Sequence, residues 1–433
     1  MENKLYLGVG RSVITPKVGT CLAGYRPDLV STAVNDDLSA TAFYFKQGDV
    51  SALLVSITVC EIATHLATKI REDIEAKYGI KKDACILHAT HTHSGPNLMG
   101  MYGWGDIDES YLNEIFLPRL DEAIKAALDS VSPVTMAIAT GESLVGINRR
   151  ELNEKNEIIL GQNPWGSFNP KMTILSFKGE SGELRANIIH YGAHGTASGS
   201  NSEITRDWAG VMTDVLEAES GAVTAFVNGA EGDIGPRLTN GRTTGGSDVR
   251  YAMRLGGMAA QDAVRIFKNL GNYHTPTLKA KSFEVKIPLE KRLPLEVALE
   301  EHKKYEGHTV NIRGRLECHY RKLIESYSNG YEELEYFADG QTIIALGDVA
   351  FVASPYELFS EIAMRIEKHA SIPHVLSLSN ANGCEGYFAT ESDICRGGYE
   401  IKCFVTKLLQ APVPNADWHY MTATLENLKS MEE

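Results

Sequence analysis

The sequence predicts an α/β protein with a mixed β-sheet core flanked by helices. Apolar segments rich in β-branched residues alternate along the chain with amphipathic segments of helical period. The composition, 43% hydrophobic and 23% charged, is ordinary for a globular protein. The chain contains no internal repeat and no low-complexity linker, so residues 1–433 are expected to form a single domain.

The first half of the chain opens with an expected strand over Leu5–Ile14. Residues Val50–Thr90 follow as an expected β-α-β unit, because the apolar runs "VSALLVSITVC" and "DACILHAT" enclose a helical segment. The apolar side chains of that helix recur at four-residue spacing: Ile62, Leu66, Ile70 and Ile74. A second helix is expected in "ESYLNEIFLPRLDEAIKAALDSV", kinked by its proline.

The second half continues the alternation. "KMTILSF" and "ELRANIIHYGAHG" read as a hairpin, and a helix is expected over Ser247–Leu270. Residues 278–329 are more polar and are expected to form a peripheral insertion. The core then resumes with the strand pair "TIIALGDVAFVASP", a helix over Pro355–His369 and the buried strand "HVLSLSNANG".

Charge and cysteine usage exclude some classes of protein. The net charge of −14 argues against a nucleic-acid partner, which would require clustered Lys and Arg. No apolar run approaches the roughly 20 residues of a spanning helix, and no exposed amphipathic helix is evident, so no stable membrane association is expected. The first residues lack a signal-peptide pattern, and the seven cysteines include no CxxC pair. We therefore expect a cytoplasmic protein.

The stretch "HATHTHSGPN" is the first candidate site. His91 and His93 are two residues apart, so on an extended backbone both imidazoles point to one side, as a zinc ion requires. His88 would point to the opposite face and is assigned no role. HxH pairs also occur in surface strands and "SGP" can be an ordinary turn, so this pattern by itself leaves ligation and a plain strand end equally open.

Two further segments carry candidate residues. His194, in "HYGAHGTAS", ends an apolar strand beside a glycine, where it could be a ligand or a packed strand-terminal histidine. The loop "VNGAEGDIGPR" offers free backbone N–H groups for an oxyanion and includes Asp233, although a tight solvent turn explains it equally well. It lacks the GK[ST] ending of a phosphate-binding loop.

Glu357 has a structural interpretation from its local pattern. In "ASPYELF", Ser354, Pro355 and Glu357 match the N-cap, first and third positions of a helix, so Glu357 would return a hydrogen bond in a capping box. Pattern alone does not select it as a ligand.

The ordered set of segments resembles the neutral ceramidase family, zinc amidases that cleave the N-acyl bond of ceramide. "HATHTHSGPN" is similar to that family's "THTHSGP" box and is the most specific piece. The other matching segments, spread over most of the chain, are "GVGRSVITP", "GINRRELN", "NPKMTILSF", "AHGTAS", "RDWAG", "NGAEGDIGPR", "LGDVAFVASPYELF" and "GYFATESDICRGGYE". The resemblance implies a ceramidase-like catalytic domain.

The resemblance also implies a set of site residues. The implied zinc ligands are His91, His194, Glu357 and Tyr387. The implied catalytic residues are His93, Arg149 and Tyr399, and the implied substrate or oxyanion loop contains Asp233 and Gly235. Two imidazoles, a carboxylate and a weakly bound phenol leave an open position at zinc for an activated water that attacks an amide carbonyl.

The chain departs from the family pattern at one central residue. Gly235 stands where the family has the serine of "GDVSP", so a serine-acyl route is closed while attack by water is not. We also expect no C-terminal sandwich domain of the kind that the family has. We therefore expect a zinc-dependent amide hydrolase acting on a small polar substrate rather than on ceramide. A metal-dependent esterase or lactonase, and a catalytically degenerate binding protein, are the alternatives.

Overall fold

Two β-sheets stack face to face at the centre of the molecule, and helices cover both outer faces. The structure is a computed structural model that describes residues 4–432. Within this range the strands are β1 (Leu5–Val13), β2 (Ala33–Val34), β3 (Ser39–Gln47), β4 (Val50–Ile57), β5 (Cys85–Ala89), β6 (Ser132–Glu142), β7 (Gly146–Leu152), β8 (Ile158–Asn163), β9 (Lys171–Gly179), β10 (Leu184–Tyr191), β11 (Glu203–Ile204), β12 (Val223–Asn228), β13 (Ile234–Pro236), β14 (Leu278–Pro288), β15 (Tyr336–Leu346), β16 (Val349–Ala353), β17 (Glu357–Leu358), β18 (His374–Leu378) and β19 (Tyr387–Phe388).

The helices vary from single turns to five turns. They are α1 (Thr64–Tyr78), α2 (Glu109–Tyr111), α3 (Leu117–Asp129), α4 (Asp207–Ser220), α5 (Arg250–Phe267), α6 (Leu295–Lys303), α7 (Asn311–Ser326), α8 (Ser360–His369), α9 (Glu391–Ile394), α10 (Tyr399–Val405) and α11 (Ala416–Ser430). A π-helical segment, Leu112–Phe116, joins α2 to α3, and Pro118 lies in the first turn of α3, where proline is tolerated. No helix in residues 4–432 combines the length and apolar character needed to cross a membrane.

The larger sheet has eight strands in the order β12-β10-β9-β6-β1-β3-β4-β5, and the second has four in the order β14-β15-β16-β18. Alternation along β3 and β16 explains the layers. Phe43 and Phe45 of β3 meet Phe351 of β16 in the core between the sheets, while Ala42 of β3 faces the helical layer that includes α1 and α3. Both sheets mix parallel and antiparallel pairs, so the predicted fold class is confirmed.

Glycines in β1 allow one helix to lie directly against the larger sheet. A Cβ atom on Gly8 would approach the carbonyl oxygen of Ala127 to 1.8 Å, and one on Gly10 would approach that of Ala123 to 2.1 Å. Both carbonyls belong to α3. The missing side chains therefore permit backbone contact between β1 and α3.

Several predicted elements are present with changed limits. The β-α-β unit is formed by β4, α1 and β5, with β4 and β5 parallel, and the hairpin is formed by β9 and β10. The helix expected over Ser247–Leu270 is confined to Arg250–Phe267. The helix expected over Pro355–His369 begins only at Ser360, because Glu357 and Leu358 form a strand instead.

The expected insertion at residues 278–329 has two parts. Its first part, β14, pairs along its whole length with β15 and is the edge strand of the second sheet. Its second part contains α6 and α7, which pack around a small core of their own made by Ala298, Leu316, Tyr320 and Leu323. The two helices thus lie outside both main sheets.

Candidate active site

The candidate residues meet where the two edges of the larger sheet, β5 on one side and β12 with its neighbour β10 on the other, approach each other. His91 follows β5 and His194 follows β10. The link between the edges is His88, whose Nε2 accepts a hydrogen bond from the backbone N–H of Asn228 at 3.0 Å. The side-chain amide of Asn228 (Nδ2) in turn donates to the backbone carbonyl of Thr90 at 3.1 Å. His88, which had no predicted role, therefore joins β5 to β12 beside the site.

His91, His194 and Glu357 form a compact buried cluster. The Glu357 Oε2 atom lies 3.0 Å from His194 Nε2 and 3.4 Å from His91 Nε2. One ligand atom from each residue lies within 4.8 Å of the others, a spacing that a single metal ion can bridge. The structure thus brings together three of the four predicted zinc ligands from segments far apart in the chain.

Backbone carbonyls orient both imidazoles. The Nδ1–H of His194 donates to the carbonyls of Glu231 at 2.8 Å and Ile234 at 3.1 Å. His91 Nδ1 likewise lies 3.1 Å from the carbonyl of Cys60, which accepts a hydrogen bond from a proton carried by that nitrogen. These bonds leave the Nε2 lone pairs pointing toward Glu357, as in metal sites where an outer acceptor fixes the histidine tautomer. Burial also lowers the pKa of His194 to about 3, so its ring is neutral.

This arrangement fits a cation and is poorly explained without one. Since Nδ1 carries the proton of His194, its Nε2 is an acceptor, and it faces the Glu357 Oε2 acceptor at 3.0 Å. Neither atom has a hydrogen-bond partner among the described residues, and both are buried. Two buried lone pairs at this distance repel each other, and both atoms have lost their hydrogen bonds to water. A cation between them would offset this loss of free energy.

A two-residue parallel ladder places Glu357 beside Tyr387. Glu357 of β17 pairs with Tyr387 of β19 in register. The backbone of Gly232 packs against this ladder so closely that a Cβ atom there would lie 2.4 Å from the Glu357 carbonyl oxygen. The N-terminal cap of α8 is Phe359, without a side-chain hydrogen bond, so the capping-box interpretation of Glu357 is wrong. Pairing with a distant strand has overridden the local helix-start pattern.

The buried Arg149 side chain binds the Tyr387 hydroxyl. Its Nη2 donates to the Tyr387 hydroxyl at 2.9 Å, and its Nε donates to Glu400 at 2.9 Å. The same Glu400 carboxylate accepts from Arg150 Nη1 at 2.7 Å. Burial raises the pKa of Tyr387, while the Arg149 cation opposes this rise. The Tyr399 ring lies 5.7 Å from that of Tyr387.

His93 stands beside the cluster. Its Nε2 lies 3.2 Å from His91 Nε2, and its ring packs 5.1 Å from that of Tyr25. The turn at Gly24 makes room for it: φ is +101°, and a Cβ atom there would lie 2.2 Å from His93 Nδ1. The loop before the second strand therefore shapes the position of His93.

The predicted loop residues lie apart from the cavity lining. The Asp233 carboxylate accepts hydrogen bonds from the backbone N–H of Ser360 at 2.7 Å and from Asn148 Nδ2 at 3.0 Å. It therefore has a structural role, since it joins the start of α8 to β7. Gly235 pairs with Ile147 in a small sheet, and a Cβ atom at Gly235 would lie 2.5 Å from Cβ of Thr243. Thr243 thus occupies the space into which a side chain at Gly235 would project.

Sequence reasoning missed several residues of the site. Asn380 has a left-handed backbone, with φ of +49°, and its amide donates to Glu231 Oε1 at 2.7 Å beside His91. Asparagine is one of the few residues that tolerate this conformation, so "SNANG" after a strand was a usable signal. No sequence signal identified the other missed residues, because their roles depend on contacts between distant segments. They are Cys60, Glu61, Glu400 and Arg315.

A cavity of about 590 Å³, counting its open mouth, leads from the surface to the cluster. Its walls combine the predicted residues His91, His93, Glu357, Tyr387 and Tyr399 with Ala23, Gly24, Cys60, Glu61, Asn97, Met99, Met101, Trp104, Arg315, Gly386 and Cys403. The cavity thus opens onto His91 and Glu357 of the cluster.

Comparison with known proteins places this geometry in context. A family model described as neutral/alkaline non-lysosomal ceramidase, N-terminal, matches residues 5–252, more than half of the chain. The neutral ceramidase of Pseudomonas aeruginosa is 30% identical over 190 residues, which cover 41% of this chain and 28% of that protein. Neutral ceramidase A of Dictyostelium discoideum is 26% identical over 270 residues, 56% of this chain and 37% of that protein. The matches thus span well under half of these relatives.

Solved structures agree on the fold. The crystal structure of the neutral ceramidase from Pseudomonas aeruginosa matches with a TM-score of 0.76 and 18% identity, covering 100% of this chain and 75% of that one. A ceramidase complexed with C2 matches with a TM-score of 0.74, again at 18% identity, and covers 99% of this chain and 75% of that one. The architecture described above is therefore shared with these proteins.

Proposed function

Because the chain belongs to the neutral/alkaline non-lysosomal ceramidase family, we propose that it is a zinc-dependent hydrolase that cleaves the amide (N-acyl) bond of a small polar substrate. The observation that carries the proposal is the pair of buried acceptors, His194 Nε2 and Glu357 Oε2, that face each other at 3.0 Å. His91 would complete a three-residue binding set, with Tyr387 as a fourth, phenolic ligand. Imidazole nitrogens and carboxylate oxygens are donors that zinc prefers.

The roles of the surrounding residues follow from their contacts. Zinc, when bound, supplies Lewis acidity that polarises an amide carbonyl and makes water more acidic. His93 lines the cavity next to His91 and would move a proton to the leaving nitrogen. Tyr399, also in the wall, would donate a hydrogen bond to the carbonyl oxygen. Arg149 is a positioning residue, since both of its hydrogen bonds go to protein groups.

The packing at Gly235 supports attack by water rather than by a serine. A serine there would have to displace the Thr243 side chain, whose Cβ lies 2.5 Å from the required position. The charged side chains of Glu61 and Arg315 in the cavity wall support a substrate that carries polar groups. Ceramide, with two long apolar chains, would need a longer apolar groove.

The same residues would equally suit the hydrolysis of an ester or a lactone by water, and the missing serine would suit a binding protein; these are the alternative functions. We propose that residues 1–433 act as one catalytic unit, that its peripheral part is limited to α6 and α7 rather than the expected 278–329, and that the protein works in the cytoplasm. The single unit and the cytoplasmic location rest on the sequence patterns described first.

The test combines metal analysis with turnover. Protein purified without added zinc is expected to contain about one zinc per chain by mass spectrometry of the metal, and H194A and E357Q should each contain less than about half of that. H419A, which removes an exposed histidine, is the matched control and should keep its zinc.

Turnover is then measured on amide and ester pairs that share acyl and leaving groups. Wild type should cleave short N-acyl amides and E357Q should not. Activity that survives E357Q would refute the proposed site. Cleavage of esters alone would favour the esterase, and bound zinc without any turnover would favour the binding protein.

A further inference from the structure

The cavity continues into a second depression that carries an excess of positive charge. Met99, Met101 and Arg315 line both spaces, so they form one groove that begins at the proposed metal site. The outer space measures about 970 Å³ with its open mouth. Its remaining walls are Tyr102, Cys318, His319, Lys322, Cys384, Glu385, Thr406, Lys407, Leu408 and Leu409. Three cations, Arg315, Lys322 and Lys407, line this outer space beside a single carboxylate, Glu385, although the net charge of the chain is −14.

Arg315 stands at the junction of the two spaces without an acidic partner. This half-buried residue of α7 donates to the Cys403 carbonyl at 3.2 Å, and its other nearby group is the Met101 sulfur at 3.4 Å. Within residues 4–432, no carboxylate lies within ion-pair distance of its guanidinium. By contrast, the buried Arg149 and Arg150 share Glu400. A partly desolvated guanidinium normally needs such a partner.

Lys407 adds a second cation, which lies over the Tyr356 and Phe337 rings. Its Nζ is buried, makes no hydrogen bond among the described residues, and lies 4.2 Å from the ring centre of Tyr356. Burial lowers the pKa of Lys407 to about 8, which still leaves it mostly protonated near pH 7.

Within residues 4–432, no carboxylate forms an ion pair with Arg315 or Lys407; Glu385 and Asp339 act on Lys407, and Glu61 acts on Arg315, only at longer range. Glu385 accepts a hydrogen bond from Thr64 at 2.5 Å.

From these contacts we infer that the substrate carries an oxyanion group, a carboxylate or a phosphate, which Arg315 binds while the amide bond lies at the metal cluster. This inference rests on the proposed function, because it assumes that an amide substrate enters the groove. The planar guanidinium matches either oxyanion through two parallel hydrogen bonds. Since ceramide has no anionic group, the groove gives a physical reason for a different substrate.

The test uses three compounds that differ only in one terminal group: N-hexanoyl-β-alanine, N-hexanoyl-phosphoethanolamine and the neutral N-hexanoyl-ethanolamine. Binding is measured by calorimetry on zinc-loaded protein with their ketomethylene analogues, which lack a cleavable C–N bond. Wild type should bind at least one anionic analogue about tenfold or more tightly than the neutral one, as expected for a charge-assisted hydrogen bond. Which analogue binds better identifies the oxyanion.

Variants of α7 locate the effect. R315Q should reduce the preference to about threefold or less, R315K should retain part of it, and R313Q should keep it, because Arg313 is exposed on the same helix. Equal affinities in wild type, or an undiminished preference in R315Q with an unchanged melting temperature, would overturn the inference. The wild-type comparison decides the matter even if R315Q does not fold. An anion preference without cleavage of the three amides would count against the hydrolase alone.

Discussion

At the scale of single residues, the site depends on unusual backbone positions. His91 has φ of +67°, a left-handed conformation that costs an ordinary residue about 1 kcal/mol. Its backbone N–H donates to the Val59 carbonyl at 3.0 Å, and Gly195 packs against its carbonyl at a point where a Cβ atom would lie 2.6 Å away. The surrounding contacts therefore hold a strained residue in place, as is common at functional sites.

The first residue-scale prediction concerns Gly24. In G24A, the new methyl group would occupy space within 2.2 Å of His93 Nδ1 and would sit on a backbone with φ of +101°. We expect kcat/KM for an N-acyl amide to fall at least about tenfold, since a displaced proton donor loses its contribution. Zinc content should stay near that of wild type, because His93 lies outside the three-residue binding set.

The matched control is G257A. Gly257 lies in α5, and a Cβ atom there would meet no atom within 4 Å. Full amide turnover in G24A would show that the position of His93 does not matter to the reaction.

At the scale of secondary structure elements, a buried ion network joins β7 to α10. Glu400 is fully buried and bridges Arg149 and Arg150. Through Arg149 it also supports Tyr387. One carboxylate therefore connects β7, α10 and, through Arg149, β19.

E400A is expected to lower the free energy of unfolding by about 3–5 kcal/mol, because two buried guanidinium groups lose their shared partner. Urea denaturation followed by circular dichroism measures this loss. D73N, which removes the acidic partner of the exposed Lys69 pair, should have no measurable effect. Similar stabilities for E400A and wild type would mean that the network is not needed for folding.

At the scale of the whole molecule, buried carboxylates shape the dependence of stability on pH. Burial raises the pKa of Asp233 to about 7, from an ordinary value of 3.8. Between these two values the folded state holds the proton while the unfolded state has released it. The stabilisation is therefore complete below about pH 4 and is lost as the pH rises toward 7.

The difference in stability between wild type and D233N isolates this contribution. As the pH rises from 4 to 7, wild type should lose stability relative to D233N, by at most about 1.4 kcal/mol per pH unit for one proton. Denaturation series at several pH values measure the slope. Parallel profiles for the two proteins, or a slope of opposite sign, would contradict the assignment.

Much of the architecture could be predicted from periodicity alone. The β-α-β unit over β4, α1 and β5 and the β9–β10 hairpin have strong local patterns, and both are present. The stacking of two separate sheets was not predictable in this way, because β14 reads as polar and its partner β15 lies almost fifty residues further on. The periodicity of either segment by itself does not reveal which distant strand it pairs with.

The residues of the candidate site also differ in how far the sequence identifies them. His91, His93 and His194 lie in local motifs, and the family resemblance added Glu357, Tyr387, Arg149 and Tyr399. Only the tertiary structure decided that Glu357 starts a strand beside Tyr387, that Asp233 bonds to the start of α8, and that Arg315 from α7 reaches the groove. The sequence by itself determined the fold class and the histidine motifs, since these depend on neighbouring residues. The structure decided the roles that depend on burial and on contacts between segments far apart in the chain.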